Sequence, residues 1–265
     1  MNRSPFQAVL RRDISLAWSY RLNVLLSTFS TFFAVVLWFF FAAFLGPRAG
    51  KTVPGGYFAY VVVGTSLLGY LNVVLHTFAK KIREDQLMGT LEMLLASPSS
   101  PFALLTASCL WELILQTVQV SWALALAGLL GVRFQFGSLP ALLLLFVLTL
   151  ISFAAMGMLA AGILLVFQRG EPVTPFVGAL FALLGNVFFP LTVLPRPLAF
   201  LARFLPLPYA TDGIRILLLE GAGAKAVYGD LTALAVFAVV LRPLSAVVFA
   251  GCLKLARRYG LLSAY

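Results

Sequence analysis

The chain has 265 residues, of which 62% are hydrophobic and 11% are charged, and its mean hydropathy is +1.01. A soluble domain carries roughly 25% charged and 45–50% apolar residues, so a water-soluble core cannot bury this excess. The net charge of +10 comes from single or short groups of basic residues at the edges of apolar runs, which favours lipid headgroups over nucleic acid as the partner. The two cysteines are far apart, which excludes a disulfide framework or a cysteine metal site.

The order of apolar and charged segments predicts an all-α membrane protein. Residues 1–21 mix apolar side chains with Arg11, Arg12 and Asp13, a pattern typical of a helix in the membrane interface. Uncharged stretches, each long enough for the about 20 residues that a membrane crossing needs, then predict six transmembrane helices. Their expected ranges are 24–45, 57–78, 104–130, 139–166, 173–194 and 231–253. The whole chain, 1–265, is thus expected to form a single transmembrane domain, with both termini in the cytoplasm because Lys and Arg are more frequent in the loops on that side.

A charged segment, residues 80–98, separates the second and third predicted spans. Its first half is polar, and Leu87, Leu91, Leu94 and Leu95 have helical spacing before Pro98. This pattern predicts an amphipathic helix on the cytoplasmic surface. A solvated connector with basic side chains near the headgroups is the alternative.

A proline-rich segment, residues 186–220, follows the fifth predicted span. It has five prolines within nineteen residues, from Pro190 to Pro208, and an unbroken helix cannot accommodate them because each lacks an amide donor. The stretch 198–207 nevertheless remains apolar, with Arg203 as its only charge. Short helices that dip into the outer leaflet are therefore expected, with an ordinary proline-rich outer loop as the alternative.

Two charged residues fall inside predicted spans, Glu112 in the third and Arg242 in the sixth. Ionisable groups within a bilayer are costly, which makes both candidates for a functional role. Each could equally be satisfied by a neighbouring helix or by headgroups. No sequence feature places them at one depth.

Both interrupting segments resemble the type-2 ABC permease family. The first matches in Gly89-Thr90-Leu91-Glu92, Leu94, Leu95 and Ser97-Pro98. The second matches in Phe189-Pro190, Leu194-Pro195, the run from Leu205 to Tyr209 and Asp212-Gly213-Ile214-Arg215. The resemblance implies a cytoplasmic coupling helix that contacts an ATPase through Arg83, Glu84, Asp85, Gly89, Thr90 and Glu92. It also implies outer re-entrant helices whose gate residues are Phe189, Pro190, Pro195, Pro206, Pro208, Tyr209 and Arg215.

The function implied by this resemblance is that of a permease subunit of an ATP-driven ABC exporter in a bacterial or archaeal inner membrane. Two copies as a homodimer, or one copy and a close homologue, would form the substrate path. ATP and Mg would bind a separate ATPase chain, because no glycine-rich phosphate loop is found here, and no metal or cofactor is expected on this chain. An ion- or proton-coupled secondary transporter is the alternative, although it should show several embedded acids or histidines. The cargo stays open among drugs, lipids, glycans and ions.

Overall fold

The computed structural model describes residues 21–50, 53, 55–87, 101–167 and 173–258. These residues are mainly helical, with no strand among them, which confirms the all-α class for this part of the chain. Its α-helices are α1 (Arg21–Gly50), α2 (Gly56–Leu87), α3 (Pro101–Leu129), α4 (Leu139–Phe167), α5 (Val173–Leu184), α6 (Arg196–Ala202), α7 (Pro206–Leu219) and α8 (Tyr228–Arg258). Two 3-10 turns are also present: Leu191–Val193 lies between α5 and α6, and Ala224–Val227 lies between α7 and α8.

Five helical stretches among the described residues are long and apolar enough to cross a membrane. These stretches are Leu25–Gly46, Gly56–Lys81, Cys109–Leu129, Leu139–Leu165 and Ala224–Ala256. They coincide with five of the six predicted spans. Their lengths, 21 to 33 residues, exceed the about 20 residues needed to cross the hydrocarbon layer. The sequence and the fold together indicate a multi-pass membrane protein.

The predicted extent of the fifth span, 173–194, is wrong at its C-terminal end. Helix α5 stops at Leu184 and has 12 residues, which rise only about 18 Å, whereas the hydrocarbon layer is about 30 Å thick. The chain then turns at Gly185 and Asn186. The count of six spans therefore stays a prediction, and residues 168–172 before α5 lie outside the described part.

Helix α2 lies at the centre of the packing. It contacts α1, α3, α4, α5 and α7, while α8 packs mainly against α4 and also against α7. Fully buried apolar side chains such as Leu71 of α2, Leu145 and Phe153 of α4 and Leu234 of α8 form the core of this arrangement. Helices α1 and α3 lie at its edge, and few of their described residues are buried. Helix α7 is consequently enclosed by α2, α4 and α8.

Two predicted elements fall partly or wholly outside the described residues. The interfacial helix, 1–21, lies outside them except for Arg21, the first residue of α1. Of the coupling segment, residues 80–87 are described, and they continue α2 without a break to Leu87. The polar first half of the predicted amphipathic helix is thus the end of the second spanning helix, and residues 88–98 lie outside the described part.

Candidate functional site: a buried polar junction

The turn after α5 brings a polar backbone segment into the protein interior. Asn186 has a φ of 58°, a left-handed conformation that asparagine adopts more readily than most residues. Gly185 before it has no space for a side chain, since an added Cβ would lie 2.3 Å from Leu207 Cδ2 and 2.3 Å from the Phe181 carbonyl oxygen. The close approach of α7 to this turn therefore depends on glycine. Carbonyl groups that have left the helix here need new hydrogen-bond donors.

Arg215 of α7 supplies those donors. Its side chain is only 2% exposed. Nη1 donates to the Asn186 carbonyl at 2.6 Å and Nη2 to the Val187 carbonyl at 3.1 Å. Nε and Nη2 both donate to the Tyr60 carbonyl of α2, at 3.2 and 2.8 Å. One guanidinium thus joins three elements through their backbones, which a planar group with five N–H donors is suited to do.

The aromatic ring of Tyr60 covers the same guanidinium. The Arg215 Cζ lies 3.4 Å from the ring centroid, so the cation faces the electron-rich π surface. Tyr60 Oη donates a hydrogen bond to Asn186 Oδ1, and Asn186 Nδ2 donates one to Asp212 Oδ1. Tyr60, Asn186, Asp212 and Arg215 therefore form one hydrogen-bonded cluster, which we call the polar junction.

Helix α7 brings an acidic side chain, Asp212, to the polar junction as well as the Arg215 guanidinium. Burial raises the pKa of Asp212, while Arg215 and the Asn186 hydrogen bond lower it. Burial lowers the pKa of Arg215 to about 10, against the opposing effects of Tyr60 and Asp212. At neutral pH the arginine therefore remains protonated. The carbonyl acceptors, the Tyr60 ring and the nearby Asp212 carboxyl all favour this charged form. A full charge in a protein interior requires partners of this kind.

Gly64 of α2 makes room for this arrangement. It lies one helical turn after Tyr60, and an added Cβ would be 2.5 Å from Arg215 Nη2 and 2.7 Å from the Val187 carbonyl oxygen. Any larger residue would occupy the space through which the guanidinium reaches the Tyr60 carbonyl. The glycine therefore determines how closely the turn after α5 approaches α2.

The prolines of the segment begin its short helices. Pro195 precedes α6 and is exposed, whereas Pro206 and Pro208 lie in the first turn of α7 and are buried. That position suits proline, because first-turn amides have no partner within the helix. Thr211 Oγ1 donates to the carbonyls of Gly185, at 3.1 Å, and Pro208, at 2.8 Å. The start of α7 is thereby tied to the turn after α5.

The predicted gate residues differ in burial: Pro206, Pro208 and Arg215 are buried, and Pro195 is exposed. Phe189 and Pro190 are half-buried in the stretch after α5. Tyr209 is also half-buried, donates to the Arg203 carbonyl at 3.1 Å and lies beside the Phe237 ring. The structure places four of the seven predicted gate residues together on α7: Pro206, Pro208, Tyr209 and Arg215.

The predicted coupling residues are described only in part. Arg83 is exposed and Glu84 half-buried at the end of α2, and Glu84 Oε1 lies 3.8 Å from Lys80 Nζ, one turn earlier. Asp85 belongs to the helix but its side chain is not described, and Gly89, Thr90 and Glu92 lie outside the described residues. Their assignment as coupling residues stays a prediction.

The two intramembrane charges are not brought together. Glu112 of α3 and Arg242 of α8 are both exposed on the surface of the chain. In the part of the chain that the structure describes, they form no ion pair with each other. Arg242 precedes a proline inside α8, and the Ser245 hydroxyl donates to its carbonyl at 2.9 Å.

Sequence reasoning missed Tyr60, Gly64 and the parts played by Asn186 and Asp212. Tyr60 lies at the start of an apolar span, where tyrosine is common, and nothing local distinguishes it from the other aromatic residues. Asn186 gives a weak signal, since it is a polar residue directly after an apolar run. Only the packing of α2 against α7 reveals why these positions matter.

A family match now identifies the chain. Residues 47–247 match the family described as ABC-2 family transporter protein, whereas a comparison with curated proteins finds no match. The matched range includes α2 to α7 and most of α8, and therefore the entire polar junction. In this family the matched unit is the membrane subunit that associates with an ABC ATPase and is not itself catalytic. The chain belongs to the ABC-2 family of transporter proteins and is a membrane permease of that family.

Proposed function

We propose that the chain is the permease subunit of an ATP-driven exporter. In this proposal, two copies form the substrate path, and separate ATPase subunits bind ATP and Mg. The permease lies in a bacterial or archaeal inner membrane with both termini in the cytoplasm. Family membership supports the permease role, and the excess of Lys and Arg in the loops on one side supports the orientation.

The continuity of α2 is the observation that carries the coupling proposal. This single helix runs from Gly56 to Leu87, 32 residues in all, which corresponds to about 48 Å. Tyr60, near its first end, binds Arg215, and Arg83 and Glu84 lie near the other end, where the coupling segment begins. A displacement at the coupling segment is therefore transmitted along a hydrogen-bonded helix to the polar junction.

The ATPase would act on α2 through the coupling segment. A nucleotide can shift the permease only if the two ATPase states contact it differently. The charged residues Arg83, Glu84, Asp85 and Glu92 are suited to such contacts, since they can exchange partners on an aqueous protein surface. Gly89 and Thr90 would contribute to the same contacts, as the family resemblance of this segment implies. At the other end of α2, the stretch from Phe189 to Arg215 would form re-entrant helices and the outer gate.

Co-purification with candidate ABC ATPases tests this function. The chain is co-expressed with each ATPase, and the complexes are reconstituted in liposomes for measurement of ATP turnover. We expect at least one ATPase to co-purify and to hydrolyse ATP faster with the permease than alone. If every ATPase fails to associate, and the chain alone transports a solute along an ion gradient, the exporter proposal is refuted.

A further inference from the structure

A groove lined by uncharged polar side chains lies between α1, α2 and α3. It has a volume of about 200 Å³ and is partly open to the surface. None of the described residues that line it is ionisable. Its polar residues are Ser30, Thr31, Thr65, Ser66, Gln116 and Gln119. All six belong to the stretches that are long and apolar enough to cross a membrane.

Three of the four hydroxyl groups in the groove already act as donors within their own helices. Thr31 Oγ1 donates to the Ser27 carbonyl at 3.0 Å, Thr65 Oγ1 to the Val61 carbonyl at 2.8 Å, and Ser66 Oγ to the Val62 carbonyl at 2.7 Å. Each hydroxyl oxygen still has lone pairs available. The hydroxyl groups therefore offer acceptors to a bound molecule, in a region where hydrocarbon would offer no partner.

The two glutamines supply donors as well as acceptors. Gln116 Nε2 lies against Gly69 of α2, where an added Cβ would be only 2.4 Å away. Gln119 lines the groove one turn further along α3. Within the described residues, neither carboxamide has a hydrogen-bond partner. Because an amide without a partner is costly in an apolar environment, a bound polar group would satisfy them.

Trp38 connects the groove to the polar junction. It lines the groove from α1, and its ring lies 5.3 Å from that of Phe188. Phe188 directly follows Val187, whose carbonyl accepts a hydrogen bond from Arg215. A change in the stretch after α5 would therefore alter the wall of the groove.

The size of the groove limits what it can hold. A volume of about 200 Å³ corresponds to roughly seven water molecules at ~30 Å³ each, which suits a small headgroup but not a whole lipid. The neighbouring face of α1 is exposed and apolar, at Phe33, Leu37 and Phe40. Hydrocarbon chains that emerge from the groove can lie along that face.

We propose that this groove binds the uncharged, hydrogen-bonding headgroup of an amphiphile, which is the substrate class of the transporter. Donor and acceptor groups without any ionisable side chain favour a neutral hydroxyl- or ester-bearing head over a phosphate or an ammonium group. The role as substrate rests on the proposed exporter function, whereas the binding itself does not.

A photoactivatable diacylglycerol, with its diazirine close to the glycerol, is a suitable probe. The full chain is reconstituted in nanodiscs, irradiated with the probe and digested, and the labelled residues are located by mass spectrometry. We expect labelling to concentrate on residues 30–38, 62–66 and 116–123, and excess unlabelled diacylglycerol to reduce it. A phosphatidic acid probe with the same chains should label these residues at least five-fold less.

The double variant Gln116→Leu/Gln119→Leu should lower diacylglycerol labelling at least five-fold. Gln135→Leu is the matched control, since Gln135 lies outside the groove, and it should label as the native chain does. The inference would be overturned if the native and double-variant chains were labelled equally, or if phosphatidic acid labelled the groove more strongly than diacylglycerol. Labelling spread evenly over lipid-facing residues would also overturn it. So would a second copy of the chain cross-linked into the groove. If the double variant does not fold, displacement by unlabelled diacylglycerol in the native chain decides. The assay contains no ATPase, so its failure is distinct from failure of ATPase co-purification.

Discussion

Replacement of Arg215 by leucine is the most direct test of the polar junction. The change removes four hydrogen bonds. The buried carbonyls of Tyr60, Asn186 and Val187 each lose the Arg215 donor. Each bond to a charged donor contributes about 1.5–3 kcal/mol, but bonds that share one group are not additive. Removal of one member of a buried charged cluster costs about 3–5 kcal/mol, and we expect the free energy of unfolding to fall by that amount.

Arg215→Lys refines this prediction. Lysine retains the positive charge near Asp212. Its three N–H donors, however, all lie on one nitrogen atom, so the ammonium cannot reach three separate carbonyls as the planar guanidinium does. We expect the free energy of unfolding to fall by about 1.5–3 kcal/mol, equivalent to one of the hydrogen bonds. If lysine is fully tolerated, charge alone holds the polar junction and the fork geometry is irrelevant.

Reversible unfolding by SDS in mixed micelles measures these losses. Tryptophan fluorescence is an appropriate signal, because Trp38 lies against Phe188 beside the polar junction. Arg203→Leu is the matched control: Arg203 is an exposed arginine of the same segment, and its replacement should change the free energy by no more than about 0.5 kcal/mol. Equal losses for the two leucine variants would refute the reasoning.

Three further predictions concern α2 and the coupling segment. Tyr60→Phe keeps the ring over the guanidinium but removes the donor to Asn186, and should lower the free energy of unfolding by about 1–2 kcal/mol; no loss would show that this hydrogen bond is unimportant. Gly64→Ala places a Cβ 2.5 Å from Arg215 Nη2 and should cost about 1–3 kcal/mol by overpacking. The control Gly251→Ala, with nothing within 4 Å of the added Cβ, should not destabilise the chain in the same assay, because alanine is a better helix former than glycine. Glu92→Arg should abolish ATPase co-purification while membrane insertion is retained. The control Glu220→Arg, at an exposed glutamate, should leave association with the ATPase intact. If both variants still associate with the ATPase, Glu92 is not a coupling residue.

The spanning helices could be predicted from hydropathy, but the end of α5 could not. Residues from Gly185 to Leu194 remain apolar enough to extend the predicted span. The helix nevertheless ends at Leu184, because Asn186 adopts a left-handed conformation. Hydropathy reports whether a side chain prefers hydrocarbon or water, whereas the end of a helix depends on backbone conformation. In this stretch, only the Gly185-Asn186 pair and Pro190 indicate that the helix ends.

The sequence predicts a role for only one member of the polar junction, Arg215. That residue ends a motif, but its partner Tyr60 is 155 positions away in the chain. Tyr60 is also 126 positions from Asn186, which its hydroxyl contacts. Periodicity reports only neighbours within one helix, so contacts across such separations leave no local pattern. The glycine that makes them possible, Gly64, is equally inconspicuous in an apolar span.

The geometry of the polar junction limits which part of the segment 186–220 could move to open an outer gate. Arg215 binds α2 and the turn after α5 through backbone carbonyls, so α7 is tied to the helix that leads to the coupling segment. A displacement of α2 would therefore carry α7 with it instead of separating the two. Among the predicted gate residues, Pro206 and Pro208 are buried, whereas Phe189 and Pro190 are half-buried and Pro195 is exposed. Motion that opens an outer path is accordingly expected between Phe189 and the start of α6, where fewer buried contacts resist it.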